Sequence, residues 1–155
     1  MTLAASLCIA GANAIELDCT FDKKMPAGVS MYGTVQQENG TSVAVNDKGY
    51  YISIIRFAGE KDVSGALTLE VSTAGNPPSQ LGIILFENAN GKLKPLKHLT
   101  WARKVAQDKY EKLTFNIASG IINEGKKYEI YVYRSNQKGA LKMKRIQFKT
   151  TPAAK

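Results

Sequence analysis

The sequence predicts an all-β fold, a two-sheet antiparallel β-sandwich of about nine strands. Three observations predict it. The chain is a succession of short apolar runs separated by Gly, Asn, Asp and Pro clusters, the pattern of sandwiches and barrels. Several runs alternate apolar and polar residues with period two, so one face is buried and the other wet. No apolar run approaches the roughly 20 residues that cross a bilayer as a helix.

Taken in order, a first strand near "IELDCTF" precedes the break "DKKMPAG", and "VSMYGTVQQ" reads as a second strand. "ENGTS" turns the chain into "VAV", and "NDKG" closes that unit. "YYISIIRFA" is apolar on both faces and belongs in the middle of a sheet. "ALTLEVST" alternates, with Leu67, Leu69 and Val71 on the buried face and Thr68, Glu70 and Ser72 on the other. "AGNPPSQ" is a loop, because two prolines cannot sit in a ladder. "LGIILFEN" is again apolar on both faces, and Asn90-Gly91 is a hairpin signal.

"LKPLKHLTWARKVAQD" reads equally as an edge strand, a short helix or a long loop, since Pro95 argues against an unbroken helix. "YEKLTFNI" alternates with Leu113, Phe115 and Ile117 inward. In "YEIYVYR", Tyr128, Ile130 and Val132 share one face and Glu129, Tyr131 and Tyr133 the other. In the last run Leu141 and Met143 have odd parity but Ile146 and Phe148 even parity. Strict alternation would push one pair into water, so a β-bulge is predicted near Lys144-Arg145.

At 155 residues, 44% hydrophobic and 22% charged, the chain suits one domain able to bury a real core. Residues 1–14, "MTLAASLCIAGANA", have an apolar centre and an Ala-Asn-Ala end, and are expected to be a signal-peptide remnant of an exported protein. The β-sandwich is expected over residues 15–150 and a tail over 151–155. Without residues 1–14 only Cys19 remains, so no internal disulfide supports the fold. Cys19 is expected to be a buried thiol near the first strand. The first 85 residues carry five Lys/Arg against eight Asp/Glu (−3), and the other seventy sixteen against five (+11). That basic half suggests a surface that attracts polyanions; a solvated Lys-rich face explains it as well.

The order of "GYYISI" and "ALTLEVST", then Trp101 ahead of "YEKLTFNI", then "KKYEIYVYRSNQKGALKMKRIQF", resembles the jelly-roll carbohydrate-binding modules of the galactose-binding-like superfamily. The similarity covers roughly residues 30 to 150 and rests on strand order and hydrophobic pattern. It implies a sandwich that works beside polysaccharide-active enzymes. It also implies a structural calcium, often held by acidic residues just before the closing strand's apolar pair. Here that place reads Lys144-Arg145, which leaves Asp18, Asp22 and Glu38 as acidic residues able to supply ligands elsewhere; no other cofactor is expected.

Sugar binding needs planar apolar surface for pyranose C–H faces and polar groups for the hydroxyls. The candidate ligand-binding residues are therefore Trp101 with His98, Arg103 and Lys104 near it, and Tyr131 and Tyr133 with Glu129. Trp101 could equally be a core residue capping the sandwich, and the Tyr pair could be core with hydroxyls at the rim. Tyr32 and Tyr110 are further candidates of the same type. Lys92, Lys94, Lys97, Arg103 and Lys104, with Lys142, Lys144 and Arg145 on the last strand, would match a carboxylated or sulfated polysaccharide. Outward aromatic and cationic groups are expected on one patch. Nucleic acid would use the same charges, but the export-like start and the lack of a nucleic-acid motif argue against it.

No nucleophile elbow, metal spacing or phosphate loop accompanies the single His and Cys19, and Glu60 and Asp62 sit in the turn-like "AGEKDVSG". The reading is thus a domain that binds carbohydrate without transforming it, with an acidic polysaccharide as one ligand class. A structural or adhesion domain for a protein or cell-surface polymer is the first alternative. A small secreted polysaccharide-active enzyme is the second.

Overall fold

A computed structural model describes residues 14–154; the signal-like start falls almost wholly outside them. Two antiparallel sheets face each other. One orders its strands β2 (Val29–Met31), β5 (Tyr51–Ala58), β10 (Lys127–Arg134), β7 (Gln80–Ala89) and β8 (Lys92–Lys104). The other orders β3 (Thr34–Glu38), β4 (Thr41–Asn46), β11 (Ala140–Pro152), β6 (Val63–Ala74) and β9 (Glu111–Ile122), with β1 (Glu16–Thr20) also paired to β11. Among the described residues there is no helix, and so none long and apolar enough to cross a membrane.

Among the described residues the strands number eleven rather than about nine, and one reason is Gly33. "VSMYGTVQQ" is two strands, β2 in one sheet and β3 in the other. Gly33 between them has φ +98°, and a Cβ there would collide with the Val45 carbonyl oxygen. Only glycine tolerates both the conformation and the approach. The ambiguous basic segment is the edge strand β8. Pro95 sits on it opposite Phe86, a position open to proline because an edge strand leaves one side of its backbone unpaired. Asn90 and Gly91 both have positive φ (52° and 86°) between β7 and β8, as a two-residue type I′ hairpin requires.

The core lies between the sheets. Leu67, Leu69 and Val71 on β6 are wholly buried, as are Leu81, Ile83 and Leu85 on β7 and Ile130 and Val132 on β10. Phe57 bridges the layers, its ring 5.5 Å from Tyr128 and 4.7 Å from Phe148. The predicted bulge is present. Met143 pairs with Val71 and Arg145 with Glu70, which leaves Lys144 without a partner on β6. Leu141, Met143, Ile146 and Phe148 are consequently all buried. Strand β11 continues two residues past position 150, to Pro152 opposite Val63. Cys19 is buried, its Sγ 3.4 Å from the Met25 sulfur, and burial pushes its thiol pKa up.

Candidate functional site

On β10, Tyr128, Ile130 and Val132 enter the core, which turns Glu129, Tyr131 and Tyr133 onto the outer face of the five-stranded sheet. Register then fixes what lies beside them. Tyr51, Ile54 and Arg56 of β5 pair with Tyr133, Tyr131 and Glu129, and on β7 the partners are Gly82, Ile84 and Phe86. The rings form one connected row. Phe86 lies 4.8 Å from Tyr131, Tyr131 meets Tyr51 edge-on at 5.1 Å, and Tyr51 meets Tyr50 edge-on at 4.9 Å. Tyr32 extends the row, 6.3 Å from Tyr51.

Tyr133 supports this row from below. Tyr50 stacks on it at 5.0 Å with an interplanar angle of 11°, leaving Tyr133 7% exposed and Tyr50 39% exposed. Beneath Tyr133 lies Gly82, where a Cβ would occupy the space of the phenol ring. The absent side chain of Gly82 thus sets the height of a two-ring stack. Tyr32, Tyr50 and Tyr51 are among the large hydrophobic residues exposed on this molecule, and they wall a groove of about 390 Å³ that opens beside Asp47 and Lys48.

Polar groups gather at the other end of the row. Asn88 Nδ2 donates to Glu129 Oε1 at 2.7 Å, and Arg56 Nε lies 3.6 Å from Glu129 Oε2. Arg56 also donates from Nη1 to Ser30 Oγ at 2.7 Å. Arg56, Asn88, Glu129 and Lys127 line a depression of about 270 Å³. Burial, and then the Glu129 carboxylate beside it, raises the Tyr131 phenol pKa; burial, and then Tyr50, does the same for Tyr133. Both hydroxyls therefore stay protonated donors through the neutral range.

From Glu129 to Tyr133 the strand spans about 13 Å at ~3.3 Å per residue. The face is thus a long apolar strip with hydrogen-bonding groups at one end. Such a surface stacks against sugar rings and orients their hydroxyls.

Of the sequence candidates, Tyr131, Tyr133 and Glu129 come together on this face. Arg103 and Lys104 are exposed on β8, paired with Leu81 and Gln80. His98 and Trp101 also belong to β8, Trp101 pairing with Ile83, but their side chains lie outside the described residues. Tyr32 joins the row. Tyr110 does not: its hydroxyl donates to Glu38 Oε2 at 2.8 Å and Lys144 Nζ lies 4.0 Å above its ring, in contact with the β3 and β11 strands of the six-stranded sheet.

The expected gathering of rings and cations on one patch is corrected by the topology. β8 edges the five-stranded sheet, whereas β11 is in the six-stranded one. On β11, Lys142 pairs with Glu38 at 2.5 Å and Arg145 with Asp18 through both carboxylate oxygens. The cations at the site itself are Arg56 and Lys127, which sequence reading did not single out. It also missed Tyr50, Tyr51, Phe86 and Asn88. Tyr50 and Tyr51 were readable only as the start of a strand, and nothing local marks which of two faces an apolar run presents.

Asp18, Asp22 and Glu38, the acidic residues left open to a structural calcium, do not gather into one group. Among the described residues no three His, Cys, Asp or Glu side chains come together. Asp18 and Glu38 are committed to Arg145 and Lys142, which hold both carboxyl pKa values below the ordinary range, and Asp22 accepts from Thr20 Oγ1 at 2.5 Å.

This arrangement of strands is similar to that of solved carbohydrate-binding modules. The xylan-binding domain CBM22-1 of Paenibacillus barcinonensis Xyn10C matches with a TM-score of 0.56 at 18% identity, over 89% of this chain and 95% of that one. A point variant of CBM29-2, a family 29 carbohydrate-binding module, matches with a TM-score of 0.52 at 12% identity, over 88% and 91% of the two chains. The CBM22-1-GH10 modules of Clostridium thermocellum Xyn10B, complexed with xylohexaose, match at 0.51 and 6% identity over 90% of this chain and 27% of that one. No family model matches the chain, and no curated protein does.

Proposed function

We propose that this is a non-catalytic carbohydrate-binding domain of an exported protein, holding a glycan chain along the outer face of the five-stranded sheet. The observation that carries the proposal is the connected row of Tyr32, Tyr51, Tyr50, Tyr131 and Phe86, ending at Arg56, Asn88 and Glu129. The rings take the C–H faces of successive sugars, and the polar trio bonds hydroxyls at one end. The described structure neighbours include a xylan-binding domain, which makes β-linked plant glycans the first ligands to test. Export is proposed from the signal-like residues 1–14.

The charge layout supports a neutral glycan backbone over an acidic one. Arg56 is partly offset by Glu129, and Lys142 and Arg145 are paired on the other sheet. An acidic glycan would instead depend on Lys127 and on the exposed β8 cations Lys92, Lys94, Arg103 and Lys104 at the margins of the face. The test is affinity electrophoresis and calorimetry against xylan, mixed-linkage glucan, mannan and polygalacturonate at low and high salt. We expect binding to a neutral glycan that survives high salt, because stacking is not screened. Binding only to polygalacturonate, lost as salt rises, would contradict the neutral ligand. Release of soluble products from any polymer would contradict a non-catalytic role.

A further inference from the structure

Arg134 ends β10 and is the largest fully buried side chain among the described residues, 2% exposed. Its guanidinium is a forked group of five N–H donors with no acceptor. None of the ion pairs among the described residues includes it. Two backbone carbonyls hold it instead. Nε donates to the Gly49 oxygen at 2.8 Å and Nη1 to the Gly139 oxygen at 2.5 Å. Gly49 lies in the loop between β4 and β5, and Gly139 in the loop between β10 and β11, so one side chain ties two loops together. The Arg134 backbone N–H adds a bond to the Tyr50 carbonyl at 2.9 Å.

The β4–β5 loop is also pinned from inside. Asn46, 3% exposed, accepts from the Lys48 and Gly49 N–H groups at 3.2 and 2.7 Å and donates to the Tyr51 carbonyl. That loop delivers Tyr50 and Tyr51, the two rings at the junction of the aromatic row. A cation buried without a counter-charge costs free energy that an apolar residue would not. What offsets that cost here is the forked guanidinium, which bonds carbonyls in two directions at once.

We infer that Arg134 is a positioning residue for the tyrosine row. By fixing the Gly49 and Gly139 carbonyls, it holds Tyr50 over Tyr133 and Tyr51 against Tyr131, so glycan affinity depends on it beyond its part in stability. The affinity half of this inference rests on the glycan reading of the face; the positioning half does not.

The experiment compares Arg134→Met and Arg134→Lys with Val132→Ala, a core variant that leaves the loop bonds in place. Three quantities are read: amide hydrogen exchange at Tyr50 and Tyr51 relative to β6, near-ultraviolet circular dichroism of the stacked tyrosines, and affinity for xylohexaose and cellohexaose. For Arg134→Met we expect about tenfold faster exchange at Tyr50 and Tyr51 with β6 unchanged. The tyrosine dichroism should weaken, and hexasaccharide affinity should fall about tenfold. Arg134→Lys should recover part of each, and Val132→Ala should lower the melting temperature without moving the loop. Should the methionine variant not fold, the lysine variant carries the same readouts.

Loop exchange and dichroism at wild-type values, with only stability reduced, would overturn positioning. A disturbed loop with undiminished affinity would overturn its link to binding. If the wild-type protein binds neither hexasaccharide, the glycan reading loses its support, while exchange and dichroism still decide the role of Arg134.

Discussion

Tyr131 is half-buried at the centre of the row, touching Phe86 on one side and Tyr51 on the other. Removing its ring by Tyr131→Ala breaks the strip into two parts. An aromatic contact is worth ~0.5–1.5 kcal/mol beyond its buried area, so glycan affinity should fall by about tenfold, read by calorimetry; Tyr131→Phe should retain most of it. Gly82→Ala is a sharper probe because no ligand need touch the new methyl group. It must displace Tyr133 and therefore Tyr50, so it should weaken binding and tyrosine dichroism together, while a methyl added at the unobstructed Gly40 has no such path to the site. Burial holds both Tyr131 and Tyr133 phenols above their ordinary pKa of about 10. Affinity measured from about pH 6 to about pH 9 should accordingly show no loss of these donors. Their identity was readable from residue parity on β10. Trp101 drew equal attention as the sole tryptophan, but rarity in composition carries no information about which side of a strand a residue occupies.

At the scale of elements, β11 shows how much register a sequence encodes. Leu141 and Met143 stand on odd positions, Ile146 and Phe148 on even ones, and only an extra residue reconciles them. Lys144 is that residue. Deleting it would place Ile146 and Phe148 on the wet face or force the strand to slip, with Phe148 alone worth ~3–5 kcal/mol if lost from a core. Circular dichroism and urea unfolding should show a protein that is unfolded or has a much lower midpoint. Substitution Lys144→Ala keeps the bulge and should change stability little. The split of "VSMYGTVQQ" into β2 and β3 was less legible, because the crossing depends on Val45, which approaches Gly33 from a later part of the chain. Strand β8 was ambiguous for a related reason: Pro95 forbids a central strand and permits an edge one, and edge position is a property of the sheet.

For the whole molecule, the two outer faces divide the labour. The five-stranded sheet carries the aromatic row; the six-stranded sheet carries the ion pairs Asp18 with Arg145 and Glu38 with Lys142. Both carboxyl pKa values are lowered in the fold, so their stabilisation is fully present above the unfolded value of about 4 and disappears as pH falls through the folded values. Thermal melts should hold steady from about pH 7 to about pH 5 and decline below about pH 4, a decline that Glu38→Gln should make shallower. Because these pairs are partly exposed, the effect is modest. The summed charge of +8 therefore described the molecule poorly as a ligand guide, since opposite faces contribute to one total.

The proposed function places glycan on the face of β5, β10 and β7. Chemical-shift mapping during titration with xylan-, glucan- and mannan-derived hexasaccharides tests it most directly. We expect saturable shifts at Tyr51, Arg56, Asn88 and Tyr131, with Tyr110 and Lys144 on the opposite sheet unmoved. Shifts centred on Tyr110 and Lys144, or none with any of the three sugars, would contradict it.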